Sequence, residues 1–521
     1  MGFVGSSSRL PIGVQTFSEI RKNNLYYVDK TPFALKLAQE GKHYFLSRPR
    51  RFGKSLFLTT LMELFQGSRD LFEGLAAHDR WDWSMRRPVV RLSFGAGNFH
   101  TLDGAHNTVS RQLRSYERRA GIKLCATDGP NRFAELLEEL HVRNGCRVAV
   151  FVDEYDKPIS DALREPDLAR ANRDYLRSLY ATIKDCDEHV CFSFLTGVTK
   201  LSKVSLFSGL NNLRDITLNP AYSSICGYTE SDLDTVFAPE LEGLDRDRVR
   251  EWYSGYSWGG NERVYNPFDV LLLLTDREFK PWWFETGTPQ LLVDTLVERG
   301  VTAADLGRMH ADDQLLSAFE IGAVSTQALL FQTGYLTLTG CVRDKDGERS
   351  YRLGYPNRSV RTSLNRHLLT ALVPAMAERI PLWGRRFKGH LASADFVGLE
   401  QDLRIFLASI PHDWHRRNKI GSYEGYYATV VLSLFAGLGL DVRAEESIGS
   451  GRLDLVLRIR GRILLFEFKI LERSGPGAAL AQLKARGYAA KFLGEGKPVH
   501  LVGVEFSAES RSVTRIASEQ A

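Results

Sequence analysis

Two groups of residues in this 521-residue chain have the types and spacing to act on phosphate. The first lies in SRPRRFGKSLFLTTL, Ser47 to Leu61, where Gly53-Lys54-Ser55 separates an apolar run from a helical pattern. A glycine there lets backbone N–H groups close on a phosphate, a lysine reaches its β- and γ-oxygens, and a serine hydroxyl can ligate Mg²⁺. Arg50, Arg51, Phe52 and Leu56 flank that core, and Arg48 stands where the usual phosphate-loop pattern has its first glycine. Further on, VAVFVDEYDKP is an apolar run ending in Asp153 and Glu154: one acid to hold a magnesium shell, one to polarise an attacking water. CFSFLTG ends in Thr196, whose hydroxyl could sense a terminal phosphate; capping a strand is the plainer role for it.

The second group lies in GSGRLDLVLRIRGRILLFEFKI, Gly449 to Ile470. A tight hairpin centred on Arg460-Gly461 sets Asp454 directly opposite Glu467. Facing residues on one sheet face have Cβ atoms roughly 5 Å apart, so two carboxylates can share one hard cation. Lys469, two residues after Glu467, projects from the same face. Two acids and a lysine suit metal-dependent phosphodiester hydrolysis: the acids bind Mg²⁺, and the lysine orients a water or stabilises charge. Like charges set opposite each other are destabilising unless something binds them, which weighs against a merely solvated hairpin. Upstream, Glu424 opens a helical pattern and is either a further metal carboxylate or an acid favoured by the helix dipole. Downstream, Gln482 and Tyr488 read as packing or solvated-face residues sooner than catalytic ones, and Arg452, Arg458, Arg460 and Arg462 as either phosphate contacts or edge protection.

Elements that could position these groups are legible. HYFLS, PVVRLSF, RVAVFVDE, VCFSFLTG and RDITL are short apolar strands separated by helical patterns, which implies crossover units and a mainly parallel α/β sheet. A helix precedes the first strand, with Thr31 as N-cap, Pro32 in its first turn and Gly41 beyond its end. The pattern then turns mostly helical, with aromatic loops such as WYSGYSWGG, whose tryptophans are expected to be buried. The last part is mixed again. Three regions follow: 1–226, 227–400 and 401–521.

Composition narrows the class. With 43% hydrophobic and 25% charged residues the chain is ordinary globular protein, and its net charge of +5 permits a nucleic-acid partner without requiring one. Six scattered cysteines form no CxxC pair, so neither a zinc site nor a disulfide framework is expected, and a reducing cytoplasm fits. No apolar run approaches the roughly 20 residues of a membrane helix, and no signal peptide is expected.

The segments LPIGVQTFSEIRKNNLYYVDKT, SRPRRFGKSL, VFVDEYDKPI, FLTGVTKLSKVSLFSGLNNLRDITL, YLTLTG and LGYPN resemble the bacterial and archaeal AAA-ATPase-like proteins that carry a C-terminal PD-(D/E)xK nuclease-superfamily domain. In that family the loop commonly reads RPRRFGKS, so the missing glycine is a family trait. The resemblance implies a P-loop NTPase domain, a helical middle and a restriction-endonuclease-like C-terminal domain, with Lys54 as Walker A lysine and Asp153 and Glu154 as Walker B acids. The D-x12-E-x-K spacing of Asp454, Glu467 and Lys469 is the nuclease signature, with Leu453 in place of its loosely kept proline. The implied ligands are ATP and Mg²⁺, and the implied substrate is DNA in preference to RNA, in defence or repair. The rival expectation is an ATP-binding switch whose nuclease fold only recognises nucleic acid or a protein. The intact Asp454, Glu467 and Lys469 weigh against that rival.

Overall fold

The computed structural model describes the chain except residues 1–8, 102, 201–205, 207–209, 286–289, 302, 308, 318–323, 344, 346–347, 374–377, 409–423, 449–450 and 511, and a few further side chains, those of Glu424 and Arg452 among them. The chain forms two compact units, Met1–Trp283 with His310–Asn357, and Phe284–Met309 with Arg358–Ala521. The segment 227–400, expected as a region of its own, is divided between them.

In the first unit, strands β1 (His43–Ser47), β2 (Val89–Ser93), β3 (Val148–Asp153), β4 (Val190–Gly197) and β5 (Arg214–Asp215) form a sheet ordered β2-β3-β4-β1-β5. Every pairing is parallel. Apolar runs such as VAVFVD are buried on both faces, as helices on either side of a parallel sheet require. β2, at the edge, alternates buried and half-buried residues. Its outer hydrogen-bonding groups are covered by helix Asp103–Ala120. The Tyr116 hydroxyl accepts the Arg91 N–H (2.6 Å) and donates to the Arg91 carbonyl (3.2 Å). One turn away, the Gln112 amide does the same for Ser93, at 2.8 and 2.9 Å. Two side chains thus finish an edge that would otherwise template foreign strands.

Two sequence expectations shift slightly. RDITL is a strand only over Arg214–Asp215, because the Asp215 carboxylate takes the Thr217 N–H (2.9 Å) and turns the chain. Thr31 is the first residue of helix Thr31–Glu40 and not its cap; the Asp29 carboxylate accepts from its N–H (2.9 Å) and hydroxyl (2.7 Å).

The unit also holds a small antiparallel sheet, β6 (His310–Asp312), β7 (Thr337–Arg343) and β8 (Arg349–Gly354), ordered β6-β8-β7 within a region expected to be mostly helical. Trp258, Trp282 and Trp283 are buried, as expected for core aromatics, whereas Trp252 is only half-buried at the edge of its cluster. Helix Pro267–Asp276 is capped by the Asn266 side chain and carries a wholly buried acid, Asp269. One oxygen of Asp269 accepts the Trp283 N–H (2.8 Å); the other has no hydrogen-bond partner among the described residues. Burial pushes this carboxyl up to about 7. The folded state therefore holds its proton where the unfolded chain has lost it, and stability present below about pH 4 is lost as pH rises through about 7. Asp269→Asn is expected to be more stable than wild type by about 4 kcal/mol above pH 7, with the difference closing by about pH 4. Urea denaturation at pH 4, 6 and 8 measures this, and a pH-independent difference would refute it.

In the second unit, β9 (Asp441–Ile448), β10 (Gly451–Ile459), β11 (Arg462–Ile470), β12 (Val499–Ser507) and β13 (Ser512–Gln520) lie in the order β13-β12-β11-β10-β9. Only the central β11–β12 pair is parallel. Arg460 (φ 44°) and Gly461 (φ 77°) are both left-handed, as a two-residue type I′ hairpin needs. That turn fixes the expected register, from Ile459–Arg462 to Leu455–Phe466. Leu464, Phe466 and Phe468 face a core built with helices Phe396–Ala408 and Glu424–Gly437. Ile463 and Leu465 face another, with Leu483, Tyr488 and Phe492.

Helix Ala478–Ala485 lies so close on β12 that a Cβ at Gly503 would stand 2.5 Å from the Leu480 backbone nitrogen. Gly503→Ala is expected to cost about 1–3 kcal/mol, because backbone and not a flexible tip must give way. A lower midpoint in urea measures it, and an unchanged midpoint would contradict the contact.

Candidate functional sites

The first site forms where β1 runs out into the loop before helix Lys54–Gln66. Arg48 is wholly buried and does not line it: its guanidinium donates to the carbonyls of Ser47 (2.9 Å), Thr217 (2.9 Å) and Tyr222 (3.1 Å) and lies 4.2 Å from the Trp258 ring. Burial lowers its pKa to about 10. Where a small residue would leave the loop free, Arg48 ties it to the segment after β5. Phe52 is buried between Tyr256 and Trp258, with ring centroids 4.7 and 5.2 Å away, so only its backbone can face a ligand. Arg50 and Arg51 are exposed; Arg51 adopts φ 68° and stacks 4.7 Å over Phe268. Gly53 adopts φ 89° at the helix N-cap, with open space where a Cβ would stand.

Lys54 is buried, and its ammonium donates to the Pro49 carbonyl at 2.8 Å. Burial draws its pKa below the ordinary lysine value, while Asp156, Asp153 and Glu154 pull the other way. The Ser55 hydroxyl donates to Asp153 Oδ1 at 3.2 Å, joining the helix N-terminus to the end of β3. A hydroxyl and a carboxylate in contact form the hard-oxygen pair that suits Mg²⁺ beside phosphates. Glu154 follows with φ 53°, an unusual conformation for a side-chain-bearing residue. Burial and then the Asp153 charge raise its pKa above the ordinary glutamate value. Thr196 is Asp153's register neighbour on β4, but its buried hydroxyl donates to the Leu46 carbonyl (2.9 Å), the strand-fixing role. Beside Gly53 and Leu56 opens a cleft lined by Tyr26, Tyr27, Gly227 and Tyr228.

Three residues here carry no sequence signal of their own. Arg91 pairs with Asp153 Oδ2 at 2.7 Å. Asp156 locks VDEYDKP onto TGVTK, accepting from the Thr199 N–H (2.7 Å) and hydroxyl (2.5 Å). Tyr155 reinforces that lock by donating to the Thr199 carbonyl (2.7 Å). At the far ends of β1 and β4, Ser193, His43 and Asp187 line up at 2.8 and 3.1 Å like a nucleophilic triad. Ser193 is wholly buried and no substrate can reach it, so the alignment is structural.

The second site lies on β10 and β11. Glu467 is 1% exposed, with Oε1 held by the Lys469 ammonium at 3.3 Å and by the Gln482 amide from helix Ala478–Ala485. Gln482 is therefore a partner of the acid, not a packing residue, and Tyr488 is the core residue expected. The last paired residues are Leu455 and Phe466; beyond them the Asp454 carboxylate takes the Phe468 N–H at 2.9 Å. Glu424 begins its helix as expected, but its side chain is outside the described residues. Glu505, which the sequence did not single out, is buried beside Lys469 as its register partner on β12. Arg458 is paired with Glu495 (2.8 Å), and Arg462 donates to the Ala392 carbonyl (3.0 Å), so both are spoken for within the fold. Among the described residues no three His, Cys, Asp or Glu side chains gather into a metal cage. Asp454 and Glu467 carry hard oxygens of the kind magnesium takes beside water and phosphate, with Oδ2 of the first engaged by the Phe468 N–H and Oε1 of the second by Lys469 and Gln482. No helix among the described residues is long and apolar enough to cross a membrane.

Two family models match separate parts of the chain. Residues 11–207 match the family model described as predicted AAA-ATPase, and residues 422–516 match the PD-(D/E)XK nuclease superfamily. An uncharacterized protein in the vnfD 5′ region of Azotobacter chroococcum mcd 1 is 54% identical over 515 residues, covering 99% of each chain.

Proposed function

Because the chain belongs to the AAA-ATPase-like family and ends in a PD-(D/E)XK nuclease-superfamily domain, we propose that it binds and hydrolyses ATP to govern a Mg²⁺-dependent nuclease acting on DNA in preference to RNA. One observation carries this: a single chain holds Ser55 against Asp153 at a helix N-terminus and Lys469 with Gln482 against a buried Glu467.

In this proposal the loop amides around Gly53 and the Lys54 ammonium take the phosphates, Arg50 and Arg51 lie at their rim, and the tyrosine-lined cleft takes the nucleoside. Glu154, its pKa raised by burial, accepts the proton of the attacking water. Ser55 and Asp153 in one site, and Asp454, Glu467 and Glu424 in the other, would hold magnesium, which would supply charge neutralisation and an acidified water. Lys469 stabilises charge on the scissile phosphate, while Gln482 keeps the Glu467 carboxylate in place.

The test is ATP turnover and cleavage of single- and double-stranded DNA and RNA by the full-length chain, with and without Mg²⁺ and ATP. Magnesium-dependent cleavage that responds to ATP is the expected result. Nucleic-acid binding without cleavage under every metal tried would make the chain an ATP-dependent switch instead.

A further inference from the structure

The ion pair between Arg91 and Asp153 has no place in the phosphate chemistry above, yet it occupies the carboxylate that chemistry needs. Both oxygens of Asp153 are engaged: Oδ1 by the Ser55 hydroxyl at 3.2 Å, Oδ2 by Arg91 Nη2 at 2.7 Å. Asp153 is buried while Arg91 is partly exposed, so the guanidinium screens the acid from solvent. The Arg91 backbone cannot move away, because Tyr116 clamps its N–H and its carbonyl; the side chain can. Its Nε is buried and has no hydrogen-bond partner among the described residues, so the guanidinium is held through its tip alone. A divalent ion brought to the same carboxylate would meet that guanidinium at contact distance, and like charges so close in a half-buried site repel strongly.

We propose that Arg91 is a placeholder cation for the metal at Asp153. It holds and orients the carboxylate while nucleotide is absent, and it yields Oδ2 when Mg·ATP loads. Arg91 thereby sets how much magnesium strengthens nucleotide binding. The proposal rests on the ATP-binding role argued above.

The measurement is the affinity of the full-length chain for ATP by titration calorimetry, in excess Mg²⁺ and in excess EDTA, for wild type, Arg91→Gln, Arg91→Lys and Lys54→Ala. The ratio of the two affinities is expected to rise about fivefold in Arg91→Gln, the factor an ion pair of about 1 kcal/mol is worth. Arg91→Lys, which keeps a charge to compensate Asp153 and so preserves the fold, is expected to raise it by less. A ratio within twofold of wild type in both folded variants would make the pair merely structural, and a smaller ratio would make Arg91 a phosphate contact; either overturns the proposal. If wild type binds no ATP under either condition, or Lys54→Ala binds as wild type does, the ATP-binding role itself fails instead.

Discussion

Lys54→Ala is expected to weaken ATP binding by about two orders of magnitude and to abolish turnover without unfolding the protein, since a charged contact to phosphate is worth about 3 kcal/mol. The second half of that expectation comes from the state of Lys54 without nucleotide. Its ammonium is buried, burial draws its pKa down, and its hydrogen bond goes to the Pro49 carbonyl of its own loop. Removing it relieves a desolvated charge, and the loop keeps its anchors through Arg48 and Phe52. Thermal unfolding should therefore show a midpoint equal to or above wild type, while calorimetry shows the lost affinity. ATP affinity within twofold of wild type would sink the phosphate-loop assignment.

The larger effect is expected from Glu467→Gln, which should lower nucleic-acid cleavage by roughly three orders of magnitude or more, as losing a charge-stabilising group in a preorganised site does. The amide matches the carboxylate in shape, and Glu467 is so buried that its surroundings hold either in place. What goes is the negative charge facing Lys469 at 3.3 Å. Gln482→Ala separates charge from orientation. It leaves the Glu467 carboxyl beside Lys469 but removes the amide that fixes it, and the expected loss is only about 10–100-fold in metal affinity. Initial cleavage rates against Mg²⁺ concentration distinguish the two: Gln482→Ala should recover at high magnesium and Glu467→Gln should not. Near wild-type cleavage by Glu467→Gln would remove the second site from the reaction.

The sequence by itself determined what local rules control. Arg460-Gly461 sets a two-residue turn, and a turn of known length dictates register, so the pairing from Ile459–Arg462 to Leu455–Phe466 could be placed without coordinates. Runs apolar on both faces marked the parallel strands, and the helix after Gly53 marked a phosphate-loop context, since each signal lies within a few residues. The tertiary structure decided what depends on partners distant in the chain. That β2 lies beside β3 brings Arg91 onto Asp153, 62 residues away. Packing against Trp258 makes Arg48 and the Phe52 ring anchors of the loop. The close seat of helix Ala478–Ala485 on Gly503 delivers Gln482 to Glu467, and the parallel β11–β12 pairing sets Glu505 beside Lys469. Turn chemistry and side-chain period act over a few residues, whereas sheet order and helix seating are settled by burial across the whole unit.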